Sequence, residues 1–246
     1  MKYKQIAHVC ARILAVVTDA LFPKRCPVCN GIIPFCAGEI CDGCREKLTK
    51  VAEPYCLKCG KPLLNEAEYC SDCRNNDHMY IRGRALYVYD SIMRKSIYRF
   101  KYYGKREYAK YYGREMAEEF GRWYKAIGAE ALVPVPIHKK RLAARGYNQA
   151  ELLAEEISRV VGIPVRKDLI ERCESTQIMR ELSAQDRQNN LKRAFKIKAY
   201  DVKLSTIVII DDIYTTGSTI DAVASCIRGA GVEKIYYSAL SIGRGI

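Results

Sequence analysis

Apolar positions follow three rhythms along this chain. Between residues 4 and 21 they fall at Ile6, Val9, Ile13, Val16, Val17 and Leu21, one stripe at helical spacing. This predicts an amphipathic helix over residues 1–21. Its polar face is sparse in Lys and Arg, which favours packing on its own protein over lying on a membrane surface. From Arg84 to Asp90, Leu86, Val88 and Asp90 alternate with Ala85, Tyr87 and Tyr89, the period of a strand. Residues 91 to 124 read as one or two helices. Leu132 to Pro136 and about Val165 to Ile170 read as further strands. Thr206 to Ile210 is a continuous β-branched run, as expected of a strand buried on both faces. A helix from about Ile220 to Gly229 follows it. The 246 residues suffice for one ordinary α/β domain plus a small extra module.

Residues 22–80 have no such period; cysteine organises them instead. Ten of the twelve cysteines precede residue 74, and eight of these form four Cys-x-x-Cys hooks. Cys26, Cys29, Cys41 and Cys44 make one set, and Cys56, Cys59, Cys70 and Cys73 the other. A two-residue gap turns both thiolates of a hook toward one ion, and four thiolates close a tetrahedral zinc site. Asn30-Gly31 and Gly60 follow hooks, where the backbone needs positive φ. Sequential pairing of hooks is the simplest arrangement, and an interleaved cross-brace uses the same residues. Disulfides are the competing chemistry. No secretion signal precedes the cysteines, because Arg12 and Asp19 interrupt the first apolar run. A reducing cytoplasm with metal-bound thiolates is therefore expected. Four-thiolate sites have no open position, so the module is expected to be structural. Cys10, Cys36, Cys173 and Cys226 are left over, and His78 is expected not to be a zinc ligand.

Charge narrows the partners. Lys and Arg exceed Asp and Glu by 13, a balance that favours anionic partners. Two zinc sites of four thiolates each would lower it to about +9. No stretch approaches the roughly 20 apolar residues of a membrane span.

The strand at 206 ends in two adjacent acids, Asp211 and Asp212. Thr215-Thr216-Gly217-Ser218-Thr219 follows and opens a helix. Open α/β sheets bind ligands at the carboxyl ends of their strands. Free amides at a helix start favour phosphate, and paired carboxylates accept hydrogen bonds from a vicinal diol. The combination describes a pocket for a pentose bearing a 5′-phosphate. Lys139, Lys140 and Arg141 follow the strand at 132 and are well placed for a pyrophosphate. The long polar connection from 173 to 190, with Gln177 and Arg187, reads as a lid or as an ordinary surface loop. A lid would exclude water from an activated ribosyl centre. Residues 94–114 interleave cations with Tyr98, Phe100, Tyr102, Tyr103, Tyr108, Tyr111 and Tyr112. That fits single-stranded nucleic acid, and equally an amphipathic helix pair with half-buried rings.

The string from Thr206 to Thr219 resembles the phosphoribosyl-pyrophosphate (PRPP) motif of type I phosphoribosyltransferases. That resemblance implies Asp211 and Asp212 on the ribose hydroxyls, as candidate catalytic residues. It places Thr215 to Thr219 on the 5′-phosphate and Lys139 to Arg141 on pyrophosphate, with Mg²⁺ accompanying PRPP. It also implies a parallel sheet flanked by helices. The order of parts over nearly the whole chain resembles the ComF family. Those parts are Ala20 to Cys29, the two hook sets, Leu132 to Pro136, Arg145-Gly146-Tyr147-Asn148-Gln149, Thr176-Gln177, Arg187 to Phe195, and the PRPP motif. This second resemblance implies a small N-terminal zinc module over residues 22–80 and a phosphoribosyltransferase-like domain over 81–246. It also implies a role in uptake or processing of transforming DNA. Two functions then compete: a glycosyltransferase with an unassigned acceptor, and a PRPP-sensing adaptor that binds single-stranded DNA or a competence helicase.

Overall fold

The computed structural model describes residues 23–34, 38–173, 194–198 and 203–244. The helix expected over 1–21, Cys10, Cys36, and Gln177 and Arg187 of the expected lid lie outside the described residues. The chain forms two compact units, Met1–Lys47 and Leu48–Ile246.

In the first unit a tight knuckle spans residues 24–33. Cys26 N donates to Gly31 O (2.9 Å), Asn30 N to Cys26 O (2.8 Å) and Ile33 N to Lys24 O (2.8 Å). Asn30 turns the corner at φ 63°, a left-handed conformation that Asn tolerates better than most residues. Helix α1 (Asp42–Arg45) carries Cys44.

The second unit opens on the same device. Cys56 N donates to Lys61 O and Gly60 N to Cys56 O, both at 2.8 Å, with Gly60 at φ 75°. Helix α2 (Ser71–Asn75) carries Cys73. The α/β part follows as β1 (Arg82–Val88), α3 (Ser91–Tyr102), α4 (Tyr108–Ala126), β2 (Ala131–Pro134), α5 (Lys139–Arg145), α6 (Gln149–Val161), β3 (Ile170–Arg172), β4 (Phe195–Ile197), β5 (Thr206–Tyr214), α7 (Ser218–Arg228) and β6 (Lys234–Ile242). The central sheet runs β1-β6-β5-β2, all parallel, and β3 pairs β4 antiparallel. Residues 49–51 run antiparallel along the outer margin of β1, with Val51 N on Leu86 O (2.9 Å) and Val88 N on Thr49 O (2.8 Å). At the other margin Leu132 of β2 pairs Val165.

Residues 206–210 of β5 are buried on both faces, as the β-branched run predicts. In β1 the expected alternation is absent: Ala85, Leu86, Tyr87 and Val88 are all buried. The reason is cover on both faces, as in other parallel sheets. Tyr87 reaches Tyr111 and Glu115 of α4, and Ala85 packs in a cluster with Cys56 and Tyr80. The expected helical stretch breaks into α3 and α4 around Gly104 at φ 66°. Asp90 caps α3 by accepting from Ile92 N and Met93 N, both at 2.9 Å. Gly113 lets α4 approach α6, since a Cβ there would sit 2.4 Å from Glu156 Cβ.

Candidate functional site

The hooks pair sequentially. The four Sγ atoms of Cys26, Cys29, Cys41 and Cys44 lie within 4.8 Å of one another, and so do those of Cys56, Cys59, Cys70 and Cys73. Thiolates about 2.3 Å from a tetrahedral zinc sit about 3.8 Å apart. Cys29 to Cys41 at 3.9 Å and Cys59 to Cys70 at 3.7 Å match that spacing. Both sets therefore fit a structural zinc ion. His78 belongs to neither set; its Nδ1 donates to Asp221 Oδ2 at 2.8 Å. Cys173 and Cys226 are half-buried thiols pushed upward in pKa, first by burial.

Asp211 and Asp212 lie near the carboxyl end of β5, flanked by β2 and β6. Asp212 is buried, and its backbone N–H donates to Asp211 Oδ1 at 2.8 Å. Burial, then the charge of Asp212, holds the Asp211 carboxyl well above the ordinary carboxylate range, and Lys101 offsets only part of this. Lys101, from the last turn of α3, places Nζ 2.5 Å from Asp212 Oδ2. Burial works against its charge, but the pull of Asp212 outweighs it and the ammonium titrates above its ordinary value. Two acids against one lysine leave a surplus of acceptor capacity, suited to the hydroxyls of a diol or to a cation.

The stretch Arg145 to Gln149 explains why Lys101 is there. Tyr147 OH and Gln149 Nε2 both donate to Phe100 O, at 2.5 and 3.1 Å. They hold the end of α3 beside the acids. Asn148 caps α6 and also donates to Val135 O at 2.9 Å, fixing the helix start to the exit of β2. Arg145 lies over the Tyr102 ring, 5.2 Å from its centroid.

Beyond Tyr214 the chain turns through Thr215 and Thr216 to Gly217, which precedes α7 at φ 85°. Thr216 Oγ1 and Ser218 Oγ are 3.0 Å apart. Gly217 supplies no side-chain cap, so the first-turn amides of α7 face outward with the positive end of the helix dipole. A Cβ at position 217 would fall 2.5 Å from the Tyr214 hydroxyl, so only glycine fits.

Lys139, Lys140 and Arg141 make the first turn of α5, where His138 Nδ1 accepts from Lys140 N at 3.2 Å, and all three are exposed. The adjacent, parallel β2 and β5 leave α5 and the acid pair following the same end of the sheet. Arg172 of β3 joins them: burial, then Arg141, lowers its pKa, while Asp211 opposes that shift. Sequence reading singles out neither Lys101 nor Arg172 from the surrounding cations. The aromatic stretch divides cleanly. Phe100, Tyr108, Tyr111 and Tyr112 are core, whereas Tyr98, Tyr102 and Tyr103 are 54%, 63% and 64% exposed.

Residues 17–74 match the model of the double zinc ribbon domain. With the parallel sheet and its acid-rich turn, this defines an α/β protein carrying two N-terminal zinc ribbons. The chain is 31% identical to competence protein F of Haemophilus influenzae, covering 87% of this chain and 95% of that one. It is 30% identical to competence protein ComFC of Bacillus subtilis, with coverages of 78% and 79%. The DNA utilization protein YhgH of Escherichia coli follows at 27%, with coverages of 87% and 94%. The chain belongs to the ComF family. A purine phosphoribosyltransferase from Pyrococcus horikoshii overlaps 54% of this chain and 73% of its own, at 16% identity and a TM-score of 0.33. Among the described residues no helix is long and apolar enough to cross a membrane.

Proposed function

We propose that this chain binds PRPP at the β5–α7 turn and serves the handling of incoming DNA, as a phosphoribosyltransferase-like protein. The observation that carries the reading is the acid pair and the Gly217 helix start on one strand-turn-helix unit. Asp211 and Asp212 accept from the ribose 2′- and 3′-hydroxyls. The amides and hydroxyls of Thr215, Thr216, Gly217, Ser218 and Thr219 hold the 5′-phosphate. Lys139, Lys140 and Arg141 face the pyrophosphate, and Arg172 adds charge beside them. If turnover occurs, the anomeric carbon gains positive charge as pyrophosphate departs. The carboxylates then offset that charge, and one accepts a proton from the acceptor. Mg²⁺ brought with PRPP would neutralise the leaving group, and the carboxylate oxygens of Asp211 and Asp212 are the hard donors it favours. Gln177 and Arg187 remain candidates for the covering loop. The names of the relatives support a place in competence or DNA utilization. Replacing both acids, Asp211→Asn with Asp212→Asn, should abolish PRPP binding in calorimetry; undiminished binding would refute the assignment.

A second reading, an adaptor for single-stranded DNA, is favoured by one observation. The exposed rings of Tyr98, Tyr102 and Tyr103 cluster at centroid distances of 4.8 and 5.8 Å, with Arg145 stacked on Tyr102. Stacked rings beside cations suit bases and phosphates. Affinity for a labelled oligonucleotide should then fall steeply with salt and drop on Tyr102→Ala.

A further inference from the structure

The underside of the phosphate loop is built from the second zinc ribbon and the segment that leaves it. Tyr214, the last residue of β5, folds beneath the loop with its hydroxyl under Gly217. That hydroxyl shares a 2.7 Å hydrogen bond with Tyr80 OH, and both rings are buried. The Tyr214 ring stacks on Tyr237 at 4.7 Å and 4°. Tyr237 OH in turn donates to Cys59 O at 2.5 Å. A second strut runs from the segment just after Cys73. His78 donates from Nδ1 to Asp221 Oδ2, and Met79 N donates to Asp221 Oδ1 at 2.9 Å. Asp221 lies in the first turn of α7, and the His78 side chain is only 3% exposed. Its ring edge would come within 3.1 Å of a Cβ at Gly217. Loop and helix start are thus held from below by residues that the second zinc ribbon delivers.

We infer that His78 and Tyr80 are positioning residues for the sugar phosphate: they hold the 217–221 turn in its phosphate-binding shape, and through them the second zinc ribbon sets affinity at the 5′-phosphate. This rests on the proposed PRPP site and adds a role for the zinc ribbon in it. The physical reason is rigidity. Amides arranged for an anion bind well only if their arrangement precedes the ligand, and small displacements cost large factors. Neither residue lies on the cation side of the site, so pyrophosphate binding is independent of them.

The test titrates the full-length, zinc-loaded protein with ribose 5-phosphate and, separately, with inorganic pyrophosphate. His78→Ala should weaken ribose 5-phosphate about tenfold and leave pyrophosphate within about twofold. His78→Asn, which restores a donor toward Asp221, should recover most of the loss. Tyr80→Phe leaves the Tyr214 hydroxyl without that partner and should weaken ribose 5-phosphate several-fold at unchanged zinc content; it serves as the probe if His78→Ala does not fold. Equal weakening of both ligands means a general structural role and overturns the inference. So does unchanged ribose 5-phosphate affinity in a protein whose PRPP binding still requires Asp211 and Asp212. Absence of PRPP and ribose 5-phosphate binding in the unaltered protein removes the sugar-phosphate reading itself, and this inference with it.

Discussion

The two zinc ribbons share one backbone design but are embedded differently. In the first, Cys29 is exposed and Cys41 half-buried, and the knuckle turns at Asn30 within a small unit. In the second, Cys56, Cys59 and Cys70 are buried in one apolar cluster with Tyr80, Tyr214, Tyr237 and Ile209 of the sheet. Gly60 meets the backbone of Gly83, and Gly83 lies flat under the Tyr237 ring. Among the described residues the first ribbon buries Cys26, Val28, Ile33, Ile40 and Cys44 around its thiolate set, and a bound metal there would add folding energy. The second is part of the core beneath the proposed ligand site. The second copy of the motif is thus built into the core of the sheet.

The sharpest way to break this comparison is to remove each metal in turn. Cys56→Ser with Cys59→Ser should cost the larger unit about 5 kcal/mol or more, because it opens a buried cluster as well as losing zinc. Cys26→Ser with Cys29→Ser, which lie outside that cluster, should cost the larger unit less. Urea unfolding followed by Trp123, the single tryptophan, reads the larger unit. Equal losses would erase the distinction. A smaller effect is expected at the glycines. A Cβ on Gly83 would lie 1.8 Å from the Tyr237 ring, so Gly83→Ala should cost about 3 kcal/mol. Gly31, whose Cβ would meet only Cys29 Sγ at 3.2 Å among the described residues, should lose less, under about 1 kcal/mol with Ala. Thermal midpoints and zinc content check both.

The smallest effect separates stability from function. The Asp211 carboxyl titrates higher in the folded chain than in the unfolded one, so folding favours its protonated form. Its contribution is full below about pH 4 and is lost as pH rises through the folded value. Asp211→Asn escapes this loss. It should match the unaltered protein in acid and exceed its stability by about 1 kcal/mol near pH 7.5, while PRPP binding falls. Parallel stability curves across pH would show that the acid pair stores no strain.

The four hooks and the string from the acids to Gly217 are legible in the sequence because each is local, whereas spacing leaves open whether the hooks pair sequentially or interleaved, and the fold decides for sequential pairing. The buried run of β5 is legible for the same reason. Lys101 is not, since it is one of many cations between 94 and 114, and only Tyr147 and Gln149 gripping Phe100 turn it toward Asp212. His78 is set aside as a zinc ligand because four thiolates already suffice, but its partner Asp221 lies 143 residues away, beyond the reach of any local pattern. Alternation in β1 fails as a guide because both faces are covered. The tyrosines of α3 and α4 divide between core and surface according to helix packing, which composition does not encode.

The short pairing of residues 49–51 along β1 has a practical consequence for anyone shortening the chain. A strand at the rim of a sheet presents unpaired amides to any neighbouring strand. A fragment begun at residue 52 would bare Leu86 and Val88 at that rim and should clump, whereas one begun at residue 48 keeps its cover and should stay dispersed in light scattering.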